Sequence, residues 1–271
     1  MSDTQGRKLI AVDCDGTLFD RNGYPSQRTC DVVKRVVEAG HLIVAVTGRS
    51  RLTACDRLEA VEGMRYLVCS NGAYTWDSHN GELVWETPMP QSLVTDVVSR
   101  LRNVIQDLAF GWETRTGIGF EDRFVELAGG VSELESGGKA GDPWTQPLYK
   151  LKVRHADVSL DELQRKVAGL LGNELCEITT SGAPFIEITA KGSHKASGLE
   201  KAAVMLGFVA TDTIAFGDNH NDLPMLEWAG HAVAMGNALE IVKEKAHAVT
   251  LHNTQHGVAH YLEGLFDSGT L

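Results

Sequence analysis

Short apolar runs alternate with amphipathic stretches along the first third of the chain. Runs that are almost wholly apolar are typical of strands buried on both faces of a parallel sheet. Between the first two runs, valines recur at helical spacing, with Ser26 placed to cap the helix and Gly40 placed to end it. The order βαβαβ indicates right-handed crossovers and helices on the faces of the sheet. The pattern predicts strands at residues 9–12, 42–47 and 66–69, and helices at residues 27–39 and 51–61.

The next segment has the period of an antiparallel hairpin. Residues 74–76 and 83–85 alternate apolar and polar side chains on either side of Asn80-Gly81. Asn-Gly is a strong signal for a tight turn between two strands, because both residues tolerate a left-handed backbone. We therefore expect a two-stranded hairpin to follow the third parallel strand.

A change of pattern at Pro88 and Pro90 indicates a boundary in the chain. Beyond these prolines, the predicted strands alternate apolar and polar residues, which is typical of a sheet with one packed face and one wet face. This pattern differs from the buried parallel strands of the first third. The elements expected here are a helix at residues 92–108, a Gly-rich loop at residues 129–141, strands that include residues 149–153 and 185–188, and a further helix between those two strands.

Alternating helices and strands resume after Gly192. The outer thirds of the chain are therefore expected to build one sheet, into which the middle is inserted. The predicted fold class is α/β, with a Rossmann-like parallel sheet core, helices on both faces and an inserted α+β domain. The elements expected after the insertion are helices at residues 196–206, 223–228 and 238–246 and strands at residues 213–216 and 232–234. The predicted domains are residues 1–85 with 190–271 for the core and residues 86–189 for the insertion.

Composition and charge narrow the function classes. The chain has 271 residues, of which 43% are apolar, so it can form one large or two modest packed domains. Its formal net charge of -11 at pH 7 disfavours nucleic acid or an anionic membrane as a partner. The five cysteines are scattered without metal-ligand spacing. With neither a signal peptide nor a membrane helix predicted, we expect a cytoplasmic protein, either a monomer or a homodimer.

Two carboxylates stand one residue apart where the first apolar run ends. If Asp13 closes this strand, the alternation of a strand points Asp13 and Asp15 to the same side and Cys14 away from it. Gly16 allows a sharp turn directly afterwards. Neighbouring carboxylates repel each other unless a cation or a shared proton is present, so the pair indicates a metal site or acid/base chemistry. An aspartate that only caps a turn is the simpler alternative for an isolated Asp-x-Asp.

Four polar clusters lie at the ends of predicted elements in the outer thirds. Taken alone, each has a plain structural interpretation as a cap, a solvated lysine or a polar loop. The carboxyl ends of parallel strands meet at one edge of a sheet, so the clusters are expected to lie close together. Their carboxylates could bind a hard cation, and their backbone N–H groups and a lysine could bind an anion. That combination favours a functional site. The clusters are Thr47-Gly48-Arg49, Ser70-Asn71-Gly72, Lys191 with Lys195, and Gly217-Asp218-Asn219-His220-Asn221-Asp222.

In order and spacing, these clusters resemble the signature motifs of haloacid dehalogenase (HAD) superfamily phosphatases of the Cof type, which carry an α/β cap between their second and third motifs. The resemblance covers nearly the whole chain and implies an HAD-like core with residues 86–189 as a substrate-specificity cap. Cys14 and Asn219-His220 depart from the commoner pattern. The matching motifs are Asp13-x-Asp15-Gly16-Thr17, Thr47, Lys195, Gly217-Asp218-x-x-Asn221-Asp222 and Met235-Gly236-Asn237-Ala238.

The resemblance also implies a chemistry, the Mg²⁺-dependent hydrolysis of small phosphate monoesters. Asp13 is the implied nucleophile, which forms an aspartyl-phosphate, and Asp15 is the implied acid and then base. The implied Mg²⁺ ligands are Asp13, the Asp15 main-chain carbonyl and Asp218, with Asp222 in the outer coordination sphere. The implied phosphate-binding and substrate-binding residues are Thr47, Gly48, Arg49, Asn71, Lys195 and Asn221.

Several assignments stay open at this level. Lys195 is preferred over Lys191 because the lysine of the resembled family lies in the first turn of a helix after a Lys-Gly-x-x-Lys stretch. Arg49 is either a substrate clamp or the partner of a surface carboxylate. His220 is expected to line its loop, and Cys14 is expected to pack as a small hydrophobe that faces away from the site.

Two other classes of function also fit the motifs. A phosphomutase shares the aspartyl-phosphate but returns the phosphoryl group to the sugar, whereas a phosphate-ligand sensor carries the scaffold without turnover. Retention of both motif carboxylates and the motif lysine argues against the sensor. The expected partner is a small phosphorylated metabolite, with sugar phosphates as the first guess and nucleotide or cofactor phosphates as the second.

Overall fold

The computed structural model describes residues 6–128, 143–172 and 174–271. The chain divides into two compact units, Met1–Trp85 with Lys195–Leu271 and Glu86–His194. The Gly-rich loop predicted at residues 129–141 lies outside the described residues. Among the helices of the described ranges, none is long and apolar enough to cross a membrane.

The first unit is built on a mixed sheet. Its strands are β1 (Leu9–Val12), β2 (Leu42–Val46), β3 (Tyr66–Cys69), β4 (Tyr74–Asp77), β5 (Glu82–Glu86), β11 (Thr213–Gly217), β12 (His231–Ala234) and β13 (Ala248–Val249). They lie side by side in the order β13-β12-β11-β1-β2-β3-β4-β5. The strands from β13 to β3 are parallel, and β4 is antiparallel to β3. The completely buried β1 therefore lies at the centre of the parallel part, between β11 and β2.

Helices of the first unit connect or follow these strands. They are α1 (Gln27–Glu38), α2 (Arg51–Leu58), α6 (Lys195–Leu206), α7 (Leu223–Trp228), α8 (Glu240–Lys245) and α9 (Gly257–Asp267). Crossovers between parallel strands are right-handed. The chain runs from β1 toward β3 in one direction and from β11 toward β13 in the other, so the helices that follow these strands lie on opposite faces. The predicted α/β fold with helices on both faces is confirmed.

Several element boundaries differ from those predicted. The helix expected at residues 51–61 ends at Leu58, before a turn in which Gly63 has a left-handed φ of 89°. The helix expected at residues 92–108 ends at Val104, because Ile105 is extended and Asp107 is left-handed. The pattern also missed the short strand β13 and the helix α9.

The second unit has an antiparallel sheet with helices packed against it. Its strands are β6 (Ala109–Glu113), β7 (Ile118–Phe120), β8 (Lys150–Arg154), β9 (Cys176–Thr179) and β10 (Ile186–Ala190), in the order β7-β6-β8-β10-β9. Its described helices are α3 (Gln91–Val104), α4 (Asp122–Ala128) and α5 (Leu160–Leu171). Apolar residues of β8 and β10 pack with those of α3 and α5 in one buried cluster. The sequence did not predict α4.

The prediction of a wet face on this sheet is wrong. Lys150, Lys152 and Glu187 alternate with the apolar residues of β8 and β10, yet all three are at most 4% exposed. The Lys150 ammonium lies 2.6 Å from a Glu187 carboxylate oxygen, and the Lys152 ammonium lies 5.0 Å from the centre of the Phe185 ring. The ion pair of Lys150 with Glu187 and the cation–π contact of Lys152 therefore compensate for the burial of these charges. From the alternating pattern alone, the same charges were expected to face solvent.

A buried histidine at the start of β2 couples the core to pH. His41 is 6% exposed, and its Nδ1 accepts a hydrogen bond of 3.0 Å from the Lys8 backbone N–H. Burial, and then the charges of Arg7 and Lys8, lower the pKa of His41. The neutral form is thus favoured in the folded state. Its contribution to stability is fully present above pH 6.5 and is lost as the pH falls from there through the folded pKa.

We expect His41→Asn to flatten the dependence of stability on pH. The Asn Oδ1 can accept the Lys8 hydrogen bond without titrating, so acid no longer removes a bond that contributes about 1 kcal/mol. The measurement is the free energy of unfolding in urea at pH 7.5 and pH 5.5, compared between variant and wild type because other groups titrate in this range. An equal loss of stability on acidification in both proteins would contradict this role of His41.

Candidate active site

The first motif forms a tight turn at the carboxyl end of β1. Asp13 follows the strand, is 5% exposed and donates its backbone N–H to the Phe216 carbonyl at 3.1 Å. Gly16 has a φ of 78°, and a Cβ there would lie 2.3 Å from an oxygen of Asp218. Only glycine fits this position, because the backbone is left-handed and the carboxylate lies directly against it. The turn therefore places the motifs around Asp13 and Asp218 side by side.

Lys195, the first residue of α6, lies between two carboxylates. Its ammonium is 2.5 Å from Asp13 Oδ1 and also contacts Asp222 Oδ1, while its side chain is 1% exposed. Burial alone would lower the pKa of Lys195, but the two carboxylates together raise it above its ordinary value. The lysine therefore keeps its charge, and the preference for Lys195 over Lys191 agrees with this geometry. Lys191 is half-exposed and pairs with Glu177 at 3.3 Å.

The Asp222 side chain stabilises the loop of the fourth motif, residues 217–222. This carboxylate is completely buried. Its Oδ2 accepts the backbone N–H groups of Asp218 and Asn219 at 2.9 and 3.0 Å, while its Oδ1 faces Lys195. Both oxygens are thus engaged by protein donors, which fits the predicted place of Asp222 in an outer coordination sphere.

A group of acidic oxygens has the chemistry of a Mg²⁺ site. Asp13, Asp218 and Asp222 each offer an oxygen, and these atoms lie within 4.8 Å of one another. Burial, and then the Asp222 charge, raise the pKa of Asp218 to about 7. The same two causes raise the pKa of Asp13 well above its ordinary value, although Lys195 opposes them. A hard divalent cation prefers oxygen ligands, and its charge offsets the repulsion between neighbouring carboxylates. The residues present therefore fit Mg²⁺.

Asp15 and Arg49 form a bidentate ion pair. The guanidinium Nε and Nη2 lie 2.6 and 2.7 Å from the two Asp15 oxygens. The Asp15 side chain is 47% exposed, whereas that of Arg49 is 14% exposed. Of the two interpretations left open, Arg49 therefore pairs with a carboxylate in this structure, and that carboxylate belongs to the first motif.

The loops after β2 and β3 join the remaining predicted phosphate-binding residues. The Asn71 N–H donates to the Thr47 carbonyl at 3.0 Å, and the Asn71 side chain accepts from Asn221 Nδ2 at 3.1 Å. Ser70 and Asn71 both have left-handed φ values, 52° and 56°, a conformation that is strained for residues with a Cβ and often occurs at functional sites. These bonds place three of the predicted residues next to one another, Thr47, Asn71 and Asn221. Gly48 is half-buried beside Thr47.

Other residues of the motifs lie at the edge of this group. Cys14 is completely buried, which agrees with its expected packing as a small hydrophobe. His220 is exposed and donates its backbone N–H to its neighbour Asn219. The sequence assigned no role to Thr17, whose hydroxyl donates to Asp218 at 3.1 Å. It also assigned no role to Asn237. Thr17 and Asn237 nevertheless both belong to motifs that match the family.

Comparison with known proteins identifies the class of protein that this fold and site define. Residues 10–262 match the family described as haloacid dehalogenase-like hydrolase. The match spans most of the chain, so the protein belongs to the haloacid dehalogenase-like hydrolases.

Individual relatives refine this assignment. The chain is 32% identical over 252 residues to the 5-amino-6-(5-phospho-D-ribitylamino)uracil phosphatase YcsE of Bacillus subtilis, covering 93% of each chain. It is 29% identical over 275 residues to the pyridoxal phosphate phosphatase YbhA of Escherichia coli, covering 94% of this chain and 97% of the relative. The structure of a haloacid dehalogenase-like hydrolase from B. subtilis has a TM-score of 0.82 at 26% identity, covering 95% of this chain and 99% of the other.

YcsE and YbhA are HAD phosphatases of the Cof type. The resemblance drawn from the motifs is therefore confirmed, as is the enzyme class of phosphoric monoester hydrolase. YcsE and YbhA are both named for phosphorylated small molecules.

Proposed function

We propose that this protein is a Mg²⁺-dependent phosphatase that hydrolyses small phosphate monoesters through an aspartyl-phosphate on Asp13. The observation that supports this most is the buried Lys195 ammonium between Asp13 and Asp222. The lysine stabilises the ionised, nucleophilic form of Asp13 and offers a positive charge where a phosphoryl group would approach.

The reaction has two displacements at phosphorus. In the first, an oxygen of Asp13 bonds to phosphorus while the bond from phosphorus to the ester oxygen breaks, and Asp15 gives that leaving oxygen a proton. In the second, Asp15 takes a proton from a water molecule whose oxygen bonds to phosphorus. The bond from phosphorus to Asp13 then breaks, which releases phosphate, restores the Asp13 carboxylate and leaves Asp15 protonated for the next cycle.

Neutral donors and one cation complete the proposed phosphate site. Thr47, Asn71 and Asn221 would hold the phosphoryl oxygens together with Lys195, in a region where burial strengthens each interaction. Asp13, the Asp15 carbonyl and Asp218 would hold the Mg²⁺, with Asp222 behind them. When bound, the cation supplies positive charge that offsets the carboxylates and the developing charge of the transferred group.

The names of the relatives guide the choice of substrate. YcsE and YbhA are named for phosphate esters of a uracil derivative and of pyridoxal, and both compounds contain nitrogen heterocycles. We therefore place phosphate esters of nitrogen heterocycles ahead of the sugar phosphates that were the first expectation. That residues 86–189 act as the specificity cap stays a prediction.

A panel of phosphate esters tests the proposed function. Purified protein with Mg²⁺ is incubated with pyridoxal 5′-phosphate, 5-amino-6-(5-phospho-D-ribitylamino)uracil, nucleotides and sugar phosphates, and inorganic phosphate is measured. We expect Mg²⁺-dependent release, with the highest kcat/KM for a heterocyclic ester. Conversion of one sugar phosphate to an isomer without phosphate release would indicate a phosphomutase, and saturable binding without turnover would indicate a sensor.

The Asp15–Arg49 pair gives a prediction about the acid step. In Arg49→Gln the Asp15 side chain loses both guanidinium partners and its fixed orientation, so transfer of a proton from protonated Asp15 to the leaving oxygen is impaired. We expect kcat/KM to fall about 10- to 100-fold for an alkyl phosphate but to fall far less for p-nitrophenyl phosphate. The leaving group of p-nitrophenyl phosphate departs as an anion and needs no proton from Asp15. The base role of Asp15 in the second displacement does not affect this comparison, because kcat/KM reports only the steps up to the first displacement.

Arg51→Gln is the matched control for this prediction. The Arg51 guanidinium lies over the Trp76 ring at 4.3 Å and lies outside the Asp15 ion pair. Its loss is expected to leave the ratio between the two substrates unchanged. If Arg49→Gln instead raises KM equally for both substrates, Arg49 is a substrate clamp and not a positioning residue for Asp15.

A further inference from the structure

Two asparagines from the C-terminal third hold the turn of the first motif by its carbonyl groups. Asn237 Nδ2 donates to the Gly16 carbonyl at 2.8 Å. Asn253 Nδ2 donates to the Phe19 carbonyl, also at 2.8 Å. These bonds connect segments more than 200 residues apart in the chain, so they fix the turn against a different part of the sheet edge.

Asn237 makes one contact that Asn253 does not make. Its Nδ2 also lies 3.5 Å from Asp218 Oδ2, at the long end of hydrogen-bond distance. The other oxygen of Asp218 accepts from the Thr17 hydroxyl at 3.1 Å. The Asp218 carboxylate is therefore placed between two neutral donors, one on each oxygen.

The orientation of Asn237 is itself determined by its surroundings. Its Oδ1 accepts the Asn253 backbone N–H at 2.9 Å, so the side-chain amide is held at both ends and Nδ2 must face Gly16 and Asp218. The loop around it is tied down as well, because the Leu239 N–H donates to the Asp218 carbonyl at 3.0 Å and the Gly236 N–H donates to the Leu251 carbonyl at 3.1 Å.

We infer that Asn237 is a positioning residue for the divalent cation, which orients Asp218 and fixes the Gly16 peptide without binding the cation itself. This inference rests on the proposed function, in which Asp218 and the Asp15 carbonyl hold Mg²⁺. Gly16 is the flexible link between that carbonyl and the rest of the turn, and Asn237 restricts it to one conformation. Neutral donors suit this task because they orient a carboxylate without competing with the cation for its charge.

The test is the affinity for Mg²⁺ alone, measured by titration calorimetry on the full chain. Removing an outer partner of a metal ligand typically weakens metal affinity about 10- to 100-fold, so we expect an increase of that size in the Mg²⁺ dissociation constant of Asn237→Ala. Turnover of Asn237→Ala is expected to recover at high Mg²⁺ concentration, because the chemical groups remain in place.

Asn253→Ala is the matched control. It removes a side-chain hydrogen bond of the same type and length, to a carbonyl of the same turn, but the Asn253 side chain does not contact Asp218. We expect both variants to lose similar thermal stability and only Asn237→Ala to lose Mg²⁺ affinity. Equal losses of affinity in the two variants, or wild-type affinity in Asn237→Ala, would overturn the inference.

Thr17→Val provides a second route if Asn237→Ala does not fold. It removes the donor on the other Asp218 oxygen while keeping the shape of the side chain, so it is also expected to weaken Mg²⁺ binding about 10-fold. Unchanged affinity in Thr17→Val would contradict the orienting role of neutral donors. Absence of Mg²⁺ binding by the wild-type protein would overturn the proposed function itself, whereas wild-type binding with unaffected variants would overturn only the inference.

Discussion

Asp13→Asn is expected to lower kcat by at least about 10⁴-fold while the protein stays folded. An amide oxygen is a poor nucleophile and cannot form the acyl phosphate, so the first displacement is lost. The fold is expected to persist because the substitution keeps the shape of the side chain, and an amide oxygen can still accept from Lys195. Steady-state phosphate release and thermal unfolding measure the two effects.

Asp15→Asn separates the nucleophile from the acid and base. With p-nitrophenyl phosphate, the first displacement needs little acid help, whereas the second still needs a base. Asp15→Asn is therefore expected to accumulate phosphoryl-Asp13, detectable by mass spectrometry after a rapid quench, and Asp13→Asn is expected to show no such adduct. Activity of Asp13→Asn within tenfold of wild type, or an adduct on another residue, would contradict the assignment of Asp13.

The positions of the motifs could be predicted because local rules govern them. A continuous apolar run such as Leu9–Val12 indicates a buried parallel strand, and the polar residue that ends it must emerge at the carboxyl edge of the sheet. Asp13 and Asp218 are far apart in the chain, yet they follow the neighbouring parallel strands β1 and β11, so this rule predicts that they lie close together. Their carboxylate oxygens lie within 4.8 Å of each other.

The buried charges of the second unit could not be predicted in the same way. Alternation along β8 and β10 distinguishes two faces of a strand, but it does not determine whether the polar face meets water or protein. Lys150 and Glu187 satisfy each other across neighbouring strands at 2.6 Å, and that pairing depends on the order and register of the sheet.

The contacts of individual polar side chains were also beyond the sequence. Arg49 had two open interpretations because nothing in the chain specifies which acceptor its guanidinium meets. Asn237 belongs to a family motif but had no predicted role. Its hydrogen-bond acceptors lie on Gly16 and Asp218, and the loops that carry these residues come together only in the folded sheet. Residue type and motif order identify the site, whereas partners within it depend on tertiary structure.

Lys195→Met is expected to affect both activity and stability. Without the ammonium, Asp13 and Asp222 remain buried beside each other with no cation, and breaking a buried pair in this way typically costs about 3–5 kcal/mol. Loss of the charge that faces the transferred group is expected to lower kcat about 10²- to 10³-fold as well. The measurements are urea unfolding without Mg²⁺ and phosphate release with saturating Mg²⁺.

Two further variants decide whether the buried charge is the cause. Lys191→Met removes a half-exposed lysine that pairs with Glu177 at 3.3 Å, so its stability is expected to stay within about 1 kcal/mol of wild type. Adding Asp222→Asn to Lys195→Met removes one of the two unpaired carboxylates, and we expect the double variant to regain part of the lost stability but none of the activity. If the double variant is instead less stable than Lys195→Met by the full cost of a second lesion, the destabilisation comes from lost packing of the lysine stem and not from uncompensated charge.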